Sequence, residues 1–293
     1  MQKAAEALSH GAVTIVNAMA TGRGAALGVG LWTRAKVTLT NQPRQFVGRI
    51  LTDSEEDPHL IETTARHVFH RFRKDNRFGA LIETNSNIPI AVGLKSSSAA
   101  SNAVAMASLR VLGRRVNDIQ AVKLGVEASF RAGVTLTGAY DDACACYFGG
   151  LVVTDNVHKR ILKLFKPKGH YRVLIQVPNR KKYTSEVDRA SLRKFRSLVQ
   201  VAHREALSGN YWSSMTLNGL VYSKAFGYDT KSITEAFHQG AIAAGLTGKG
   251  PAVAAIVPST NVKHVLSAWH SLPGRIIETS FNFQKAQSSR VKN

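Results

Sequence analysis

Twelve consecutive residues constrain this chain more than any bulk property: Pro89-Ile90-Ala91-Val92-Gly93-Leu94-Lys95-Ser96-Ser97-Ser98-Ala99-Ala100. A β-like run from Ala80 to Thr84 precedes them, and an alanine-rich helical segment from about Ser97 to Leu112 follows. Proline and glycine set an unusual backbone path before three serines open the helix. Such a loop turns unpaired backbone N–H groups, hydroxyls and a helix N-terminus toward one small volume, which is how proteins hold phosphate. Lys95 adds positive charge there. An ordinary serine-capped helix after a turn carries the same letters, so the loop alone leaves both readings open.

A second glycine cluster, Gly245-Leu246-Thr247-Gly248-Lys249-Gly250-Pro251-Ala252, is expected to lead from a helical segment into a strand, with its backbone passing close to something. It is no P-loop, because that pattern needs Gly at 243 and Ser or Thr at 250, where the chain has Ala243 and Gly250. Gly22, Gly24 and Gly28 approach a dinucleotide fingerprint with the spacing one residue too long, and read as a glycine-rich turn between strands.

Asp141 and Asp142 stand side by side in an otherwise uncharged run from Ala132 to Thr154. Carboxylates are costly in apolar surroundings unless they find partners or a use, such as taking a proton from a hydroxyl; a doubled helix N-cap is the plainer alternative. Cys144-x-Cys146 lacks a second pair for zinc and reads as buried packing. His67 and His70 read as a solvated helix face. The basic clusters Arg71 to Lys74, Arg180 to Lys182 and Arg189 to Arg196 lack aromatic interleaving and match no nucleic-acid motif, so they read as helix surface.

At 293 residues, with 44% hydrophobic and 20% charged, the chain can bury a proper core, and two domains are expected. Strands are predicted at Val13–Ala18, Leu31–Thr40, Gln45–Thr52, Ala80–Thr84 and Gly149–Thr154, with helices from Asp57 to Phe72, Ser97 to Leu112, Asn117 to Ala132 and Gly138 to Phe148. The basic stretch Lys159 to Lys168 reads as the boundary, giving domains 1–160 and 161–293. Beyond it, strands at 171–177, 252–257 and 275–280 and helices at 185–207, 212–226 and 262–270 form a second α+β unit. Two close-set cysteines fit a reducing cytoplasm, and neither an export signal nor a spanning segment is evident. The formal charge of +20 attracts anions of many kinds and selects none.

Pro89-x-x-x-Gly93-Leu94-x-Ser96-Ser97-Ser98-Ala99 resembles the second signature of the galactokinase, homoserine kinase, mevalonate kinase and phosphomevalonate kinase superfamily, and Gly248-Lys249-Gly250-Pro251 resembles its third. Thr14 to Ala18, Gly93 to Ser98, Thr135 to Ala143 and Tyr147 to Gly150 are most similar to its archaeal-type shikimate kinases, a likeness covering essentially the whole chain. The resemblance implies an α+β, two-domain small-molecule kinase fold, with an N-terminal unit like domain 2 of ribosomal protein S5 and a ferredoxin-like C-terminal unit. It implies transfer of the ATP γ-phosphoryl group to the 3-hydroxyl of shikimate, in chorismate synthesis. Pro89 to Ala99, with Gly248 and Gly250, would bind ATP, and Ser97 and Ser98 would help hold Mg²⁺. Asp141 matches the catalytic aspartate if Asp142-Ala143 stands for Asn-Ala, whereas counting back from Gly149 favours Asp142. Asn17, Thr137, Arg180 and Lys181 are weak candidates for shikimate. The first signature departs from the family, with Ala12 where relatives carry lysine; Lys95 is a candidate substitute. The alternatives are a related kinase acting on homoserine or mevalonate and, in another class, a basic nucleic-acid-binding protein with an S5-like fold. A nucleic-acid partner is not expected on motif grounds.

Overall fold

The computed structural model describes residues 3–135, 138–180 and 192–291. Its first unit is a seven-stranded sheet with helices packed on it. Strands β1 (Ala4–Val16) and β2 (Arg23–Thr40) pair antiparallel, and β2 continues to β4 (Gly79–Ser86), which pairs parallel with β3 (Phe46–Ile50). Leu31, Thr33, Ala35, Val37 and Leu39 alternate inward as their period-two pattern requires. β1 begins well before Val13, because the small residues of 4–12 fit beneath a helix as a strand even though their hydropathy is low. The connection to β2 closes at Ala18–Gly22, where the Gly22 N–H donates to the Ala18 carbonyl at 2.7 Å. Gly24 and Gly28 therefore lie inside β2 rather than in a turn. They let other groups approach: a Cβ on Gly28 would lie 3.0 Å from the Ala145 carbonyl, and one on Gly24 would meet the Asp141 carboxylate.

Helix α1 (His59–Arg71) is followed after β4 by α2 (Ser96–Val111), α3 (Asp118–Arg131) and α4 (Tyr140–Phe148). The small residues of α2, among them Ala99, Ala103, Ala105 and Ala107, are buried, which lets this helix sit close against β1 and β2. Asn117 starts α3 with a reciprocal capping box to Gln120. Cys144 and Cys146 are free and buried, and His70 is solvated. His67 departs from expectation: its side chain is 8% exposed, and its Nε2 lies 3.2 Å from Glu127 Oε2 because α3 packs over that face of α1.

The basic stretch past 158 is not a linker. β5 (Leu151–Asp155) turns into β6 (Arg160–Phe165), which pairs with it antiparallel and extends the first sheet beyond residue 160. Arg160 and Lys163 mark an edge strand, where charge discourages pairing with other chains. The C-terminal strand β11 (Gln287–Arg290) also returns to this sheet, beside β1.

Between them lies the second unit. β7 (Tyr171–Val177) leads through residues outside the described set, which take in most of the expected start at Ser185, and a short 3₁₀ turn at Arg193–Phe195 to α5 (Arg196–Ser208). Helices α6 (Tyr211–Phe226) and α7 (Lys231–His238) precede the hairpin β8 (Ala243–Leu246) and β9 (Val253–Pro258), then α8 (Val262–His270) and β10 (Arg275–Thr279). The order β10-β7-β9-β8, antiparallel throughout, is the ferredoxin-like arrangement. The glycine cluster at 245–252 thus follows a strand, not a helix. Ala243-Ala244-Gly245-Leu246 is too short and alanine-rich to show a β pattern, yet it pairs because Gly245 lets α6 come down onto it at Gly219.

Candidate active site

Four segments meet where the two units touch. The residues after β1, the loop into α2, the start of α4 and the β8–β9 loop line one cavity, with Asn17, Gly93, Lys95, Asp141, Asp142 and Gly248 on its walls. The loop into α2 alternates through left-handed backbone at Ala91 (φ 57°), Gly93 (φ 94°) and Lys95 (φ 66°). Such alternation turns successive N–H groups toward one side, and here it delivers them beside the N-terminus of α2. Ser96, Ser97 and Ser98 line the same cavity.

The two glycine loops are clamped together by groups that sequence reasoning did not single out for this work. Thr247 Oγ1 donates to the Gly93 carbonyl (2.9 Å) and accepts from the Thr14 N–H (3.1 Å), while Thr14 Oγ1 accepts from the Gly248 N–H (2.8 Å). Asn17 Nδ2 donates to the Gly248 carbonyl at 2.7 Å. Any side chain at Gly93 would strike the Thr247 carbonyl. Tyr222 Oη, reaching from α6, donates to the Asn17 carbonyl and accepts from the Ala20 N–H, so the second unit braces the β1 end of the cavity.

Asp141 is 3% exposed. Asn156 brackets it, donating Nδ2 to Asp141 Oδ1 at 2.7 Å and accepting from the Asp141 N–H at 3.2 Å; Thr154 Oγ1 orients that amide at 2.6 Å. Burial, and then the neighbouring Asp142 charge, push the Asp141 carboxyl up to about 7, against the opposing pull of Lys95 and the Asn156 hydrogen bond. Asp142 Oδ1 lies 2.9 Å from Lys95 Nζ, both side chains being largely buried. The contact is an ion pair outside good hydrogen-bond alignment. Lys95 caps α2 in the left-handed region, a backbone that costs a non-glycine residue on the order of 1 kcal/mol and here delivers its ammonium to the acidic pair. Ala12 is fully buried. Asn156 left no signal, since nothing in the letters links it to a residue fifteen positions earlier; the turn joining β5 to β6 carries it back to α4 and makes the contact.

The expected site residues divide. Asp141, Asp142, Ala91, Gly93, Lys95, Ser96, Ser97, Ser98, Gly248 and Asn17 line the cavity. Leu94 and Ala99 are buried core beneath it. Ile90 faces a neighbouring cavity of mixed lining, with Ile50, Leu60 and Ala100 beside Glu56, Asp57 and His59, which shares Ala91, Ser96 and Ser97 with the first. Pro89 and Val92 face a third cleft with Arg180, whose guanidinium stacks over Tyr228 at 4.6 Å, so Arg180 is not brought to the acidic pair. Gly250 precedes the cis Pro251 and bonds back to Thr247. Thr137 and Lys181 lie outside the described residues.

Comparison with known proteins agrees with this architecture. Residues 59–150 match the GHMP kinases N terminal domain. Homoserine kinase from Cytophaga hutchinsonii superposes with a TM-score of 0.75 at 15% identity, covering 98% of this chain and 97% of its own. Mevalonate kinase from Methanococcus jannaschii gives 0.74 at 16%, covering 94% and 98%. The fold is that of the GHMP kinases, ATP-dependent kinases of small molecules. Shikimate kinase from Methanosarcina mazei is 42% identical over 94% of each chain, and that from Pyrococcus furiosus is 42% identical over 92% of this chain and 96% of its own. Within the GHMP kinases, this chain belongs to the shikimate kinase family.

Proposed function

We propose that the chain transfers the γ-phosphoryl group of ATP to the 3-hydroxyl of shikimate, yielding shikimate 3-phosphate and ADP. One observation carries the mechanism: a buried acidic pair and a left-handed serine loop at a helix N-terminus line the same cavity. Phosphoryl transfer asks a protein mainly to align donor and acceptor and to offset charge on the moving group. Backbone N–H groups of 93–98 and the Ser96, Ser97 and Ser98 hydroxyls cradle the phosphates, while the cavity beside Ile90, with apolar Ile50 and Leu60 next to polar Glu56 and Asp57, has the mixed lining that suits a nucleoside. Asp141, raised toward neutrality by burial, takes the acceptor proton or orients the hydroxyl. Asp142, tied to Lys95, keeps a second carboxylate in place and brings the lysine charge to the cavity wall. This assigns to Lys95 the work that a first-signature lysine does in relatives.

The donor set fits Mg²⁺. Among the described residues no three His, Cys, Asp or Glu side chains cluster as a metal cage, and the oxygens at hand are Ser97 and Ser98 hydroxyls beside two aspartates. Mg²⁺ characteristically takes few protein oxygens and completes its shell with phosphate and water. When bound it would neutralise phosphate charge; Ser97 and Ser98 are the residues placed to hold it.

No helix among the described residues is long and apolar enough to cross a membrane, and a cytoplasmic setting agrees with two free, buried cysteines. The test is a coupled ADP-release assay with Mg-ATP against shikimate, homoserine and mevalonate in parallel. Turnover on shikimate is expected; turnover on homoserine or mevalonate with shikimate silent would refute the assignment.

A further inference from the structure

The chain carries 39 Lys and Arg against 19 Asp and Glu, and the kinase site uses few of them. Tertiary structure gathers a set that is dispersed in sequence. Arg73 and Arg77 follow α1, Arg110 ends α2, Arg114 and Arg115 follow it, and Arg290 closes β11; all six are exposed. They belong to one surface. The Arg114 guanidinium lies over the Phe72 ring at 5.8 Å, tying the α2 end to the α1 end, and a Cβ on Gly113 would sit 3.9 Å from an Arg290 Nη. Arg77 stacks at 5.0 Å over Phe78. The groove beside them, between α1 and α3, is walled by Arg71 and Lys123.

The ordinary explanation is complementarity to helix dipoles, and it covers Arg71 and Arg110, which sit in the last turns of α1 and α2. It does not reach Arg73, Arg77, Arg114 or Arg115, which lie beyond those turns. Arg73 is held at φ 53° in the helix-terminating position that glycine favours, so an arginine stands there against backbone preference. The acids beside the set, Asp75 and Glu127, are fewer than its arginines and are already partnered. Asp75 is engaged by His70 Nδ1 at 3.0 Å, and Glu127 by His67 and Lys159.

The surface is remote from catalysis. α2 has its serines at one end and Arg110 near the other, and the helix rise between Ser96 and Arg110 separates them by about 21 Å. ATP in the cavity does not reach it. None of the exposed large hydrophobic side chains among the described residues lies in 71–77, 110–115 or 287–291, and Phe72 and Phe78 are roofed by guanidinium groups. Stable membrane anchoring adds apolar insertion to charge, and a protein interface centres on buried aromatic or apolar anchors. Guanidinium groups without either match a repeating phosphodiester.

We propose that this arginine surface docks the phosphate backbone of a nucleic acid, a second binding function separate from the phosphoryl-transfer cavity. Recognition is by backbone charge, without base readout, and so independent of sequence. The test uses the full chain and fluorescence anisotropy on RNA and DNA duplexes of about 20 base pairs, from about 50 to about 300 mM salt. Binding of wild type is expected, with log K falling linearly in log salt. A variant combining Arg73→Gly, Arg77→Ala, Arg114→Ala and Arg115→Ala should bind more than tenfold more weakly and flatten that slope by about 3.6, since each lost phosphate contact removes about 0.9. Its shikimate-dependent turnover should equal wild type, which also reports folding. Preference for the RNA duplex would name RNA as the source of the phosphates, and equal binding would name any duplex. Absence of wild-type binding overturns the proposal. So does an equal loss from a control variant, Lys168→Ala with Lys224→Ala, Lys231→Ala and Lys263→Ala, because binding would then follow net charge and not this surface. Should the fourfold arginine variant fail to fold, Arg115→Glu alone, on an exposed loop, is expected to weaken binding at least threefold, and an unchanged affinity refutes the surface.

Discussion

Replacing Asp141 by asparagine tests the acidic pair through stability as well as rate. In the folded chain the carboxyl holds its proton up to about pH 7, whereas in the unfolded chain it releases it near its ordinary 3.8. Below about pH 4 both states are protonated and the group contributes nothing. Between these limits the folded state binds more protons than the unfolded one, so stability falls as pH rises, by about 1.4 kcal/mol per pH unit. Across the window the accumulated penalty is on the order of 4 kcal/mol, and above about pH 7 it is constant. Asparagine preserves the acceptor for Asn156 Nδ2 and removes the titration. The expected result is therefore a variant whose stability advantage over wild type grows by roughly 4 kcal/mol from pH 4 to pH 7.5, read from urea unfolding in a buffer series without nucleotide. Because Asp142 adjoins it, the difference reports the pair rather than one carboxylate. The same substitution should lower kcat by about 10²- to 10⁴-fold. Parallel stability curves would refute the claim that burial raises this group, and full kcat would remove its part in proton transfer.

Asn156→Ala withdraws a hydrogen bond that favours the ionised form of Asp141, so the acid limb of kcat/KM against pH should move to higher pH; a limb that stays put or moves down contradicts the bracketing role. Lys95→Met leaves Asp142 without its cation, and should cost about 3–5 kcal/mol of stability together with most of the activity; a chemical melt and an ADP-release assay read the two losses. Gly93→Ala puts a methyl group against the Thr247 carbonyl in a backbone region hostile to it, so ATP affinity by calorimetry should fall at least tenfold, with a stability loss of about 1–3 kcal/mol. Thr247→Val keeps the shape and deletes the hydroxyl that links Gly93 and Thr14; its KM for ATP should rise more than its kcat falls, since it loosens the cradle and leaves the acids alone.

The serine loop was legible because a phosphate cradle is local: Gly93, Lys95 and Ser96 to Ser98 do their work within a few residues of chain, and the letters carry it. The adjacent acids were legible for a related reason, since two carboxylates in an uncharged run need an explanation before any fold is known. Strands with clean alternation, such as the Leu31–Thr40 part of β2, were visible too. Ala4–Val16 and Ala243–Leu246 were seen only in part or not at all, because small residues pair as strands when neighbours press on them and show no pattern by themselves.

What sequence by itself determined is thus local: a glycine- and serine-rich loop at a helix start, an adjacent acidic pair, and a family resemblance. Contacts between residues far apart in the chain were the structure's to decide. Lys95 meeting Asp142 in place of a first-signature lysine, Asn156 bracketing Asp141, Thr14 and Thr247 locking two glycine loops, and arginines from three chain segments converging on one surface all depend on which elements pack together. Packing follows from burying the faces of sheets and helices, a property of the whole chain that local spacing does not carry.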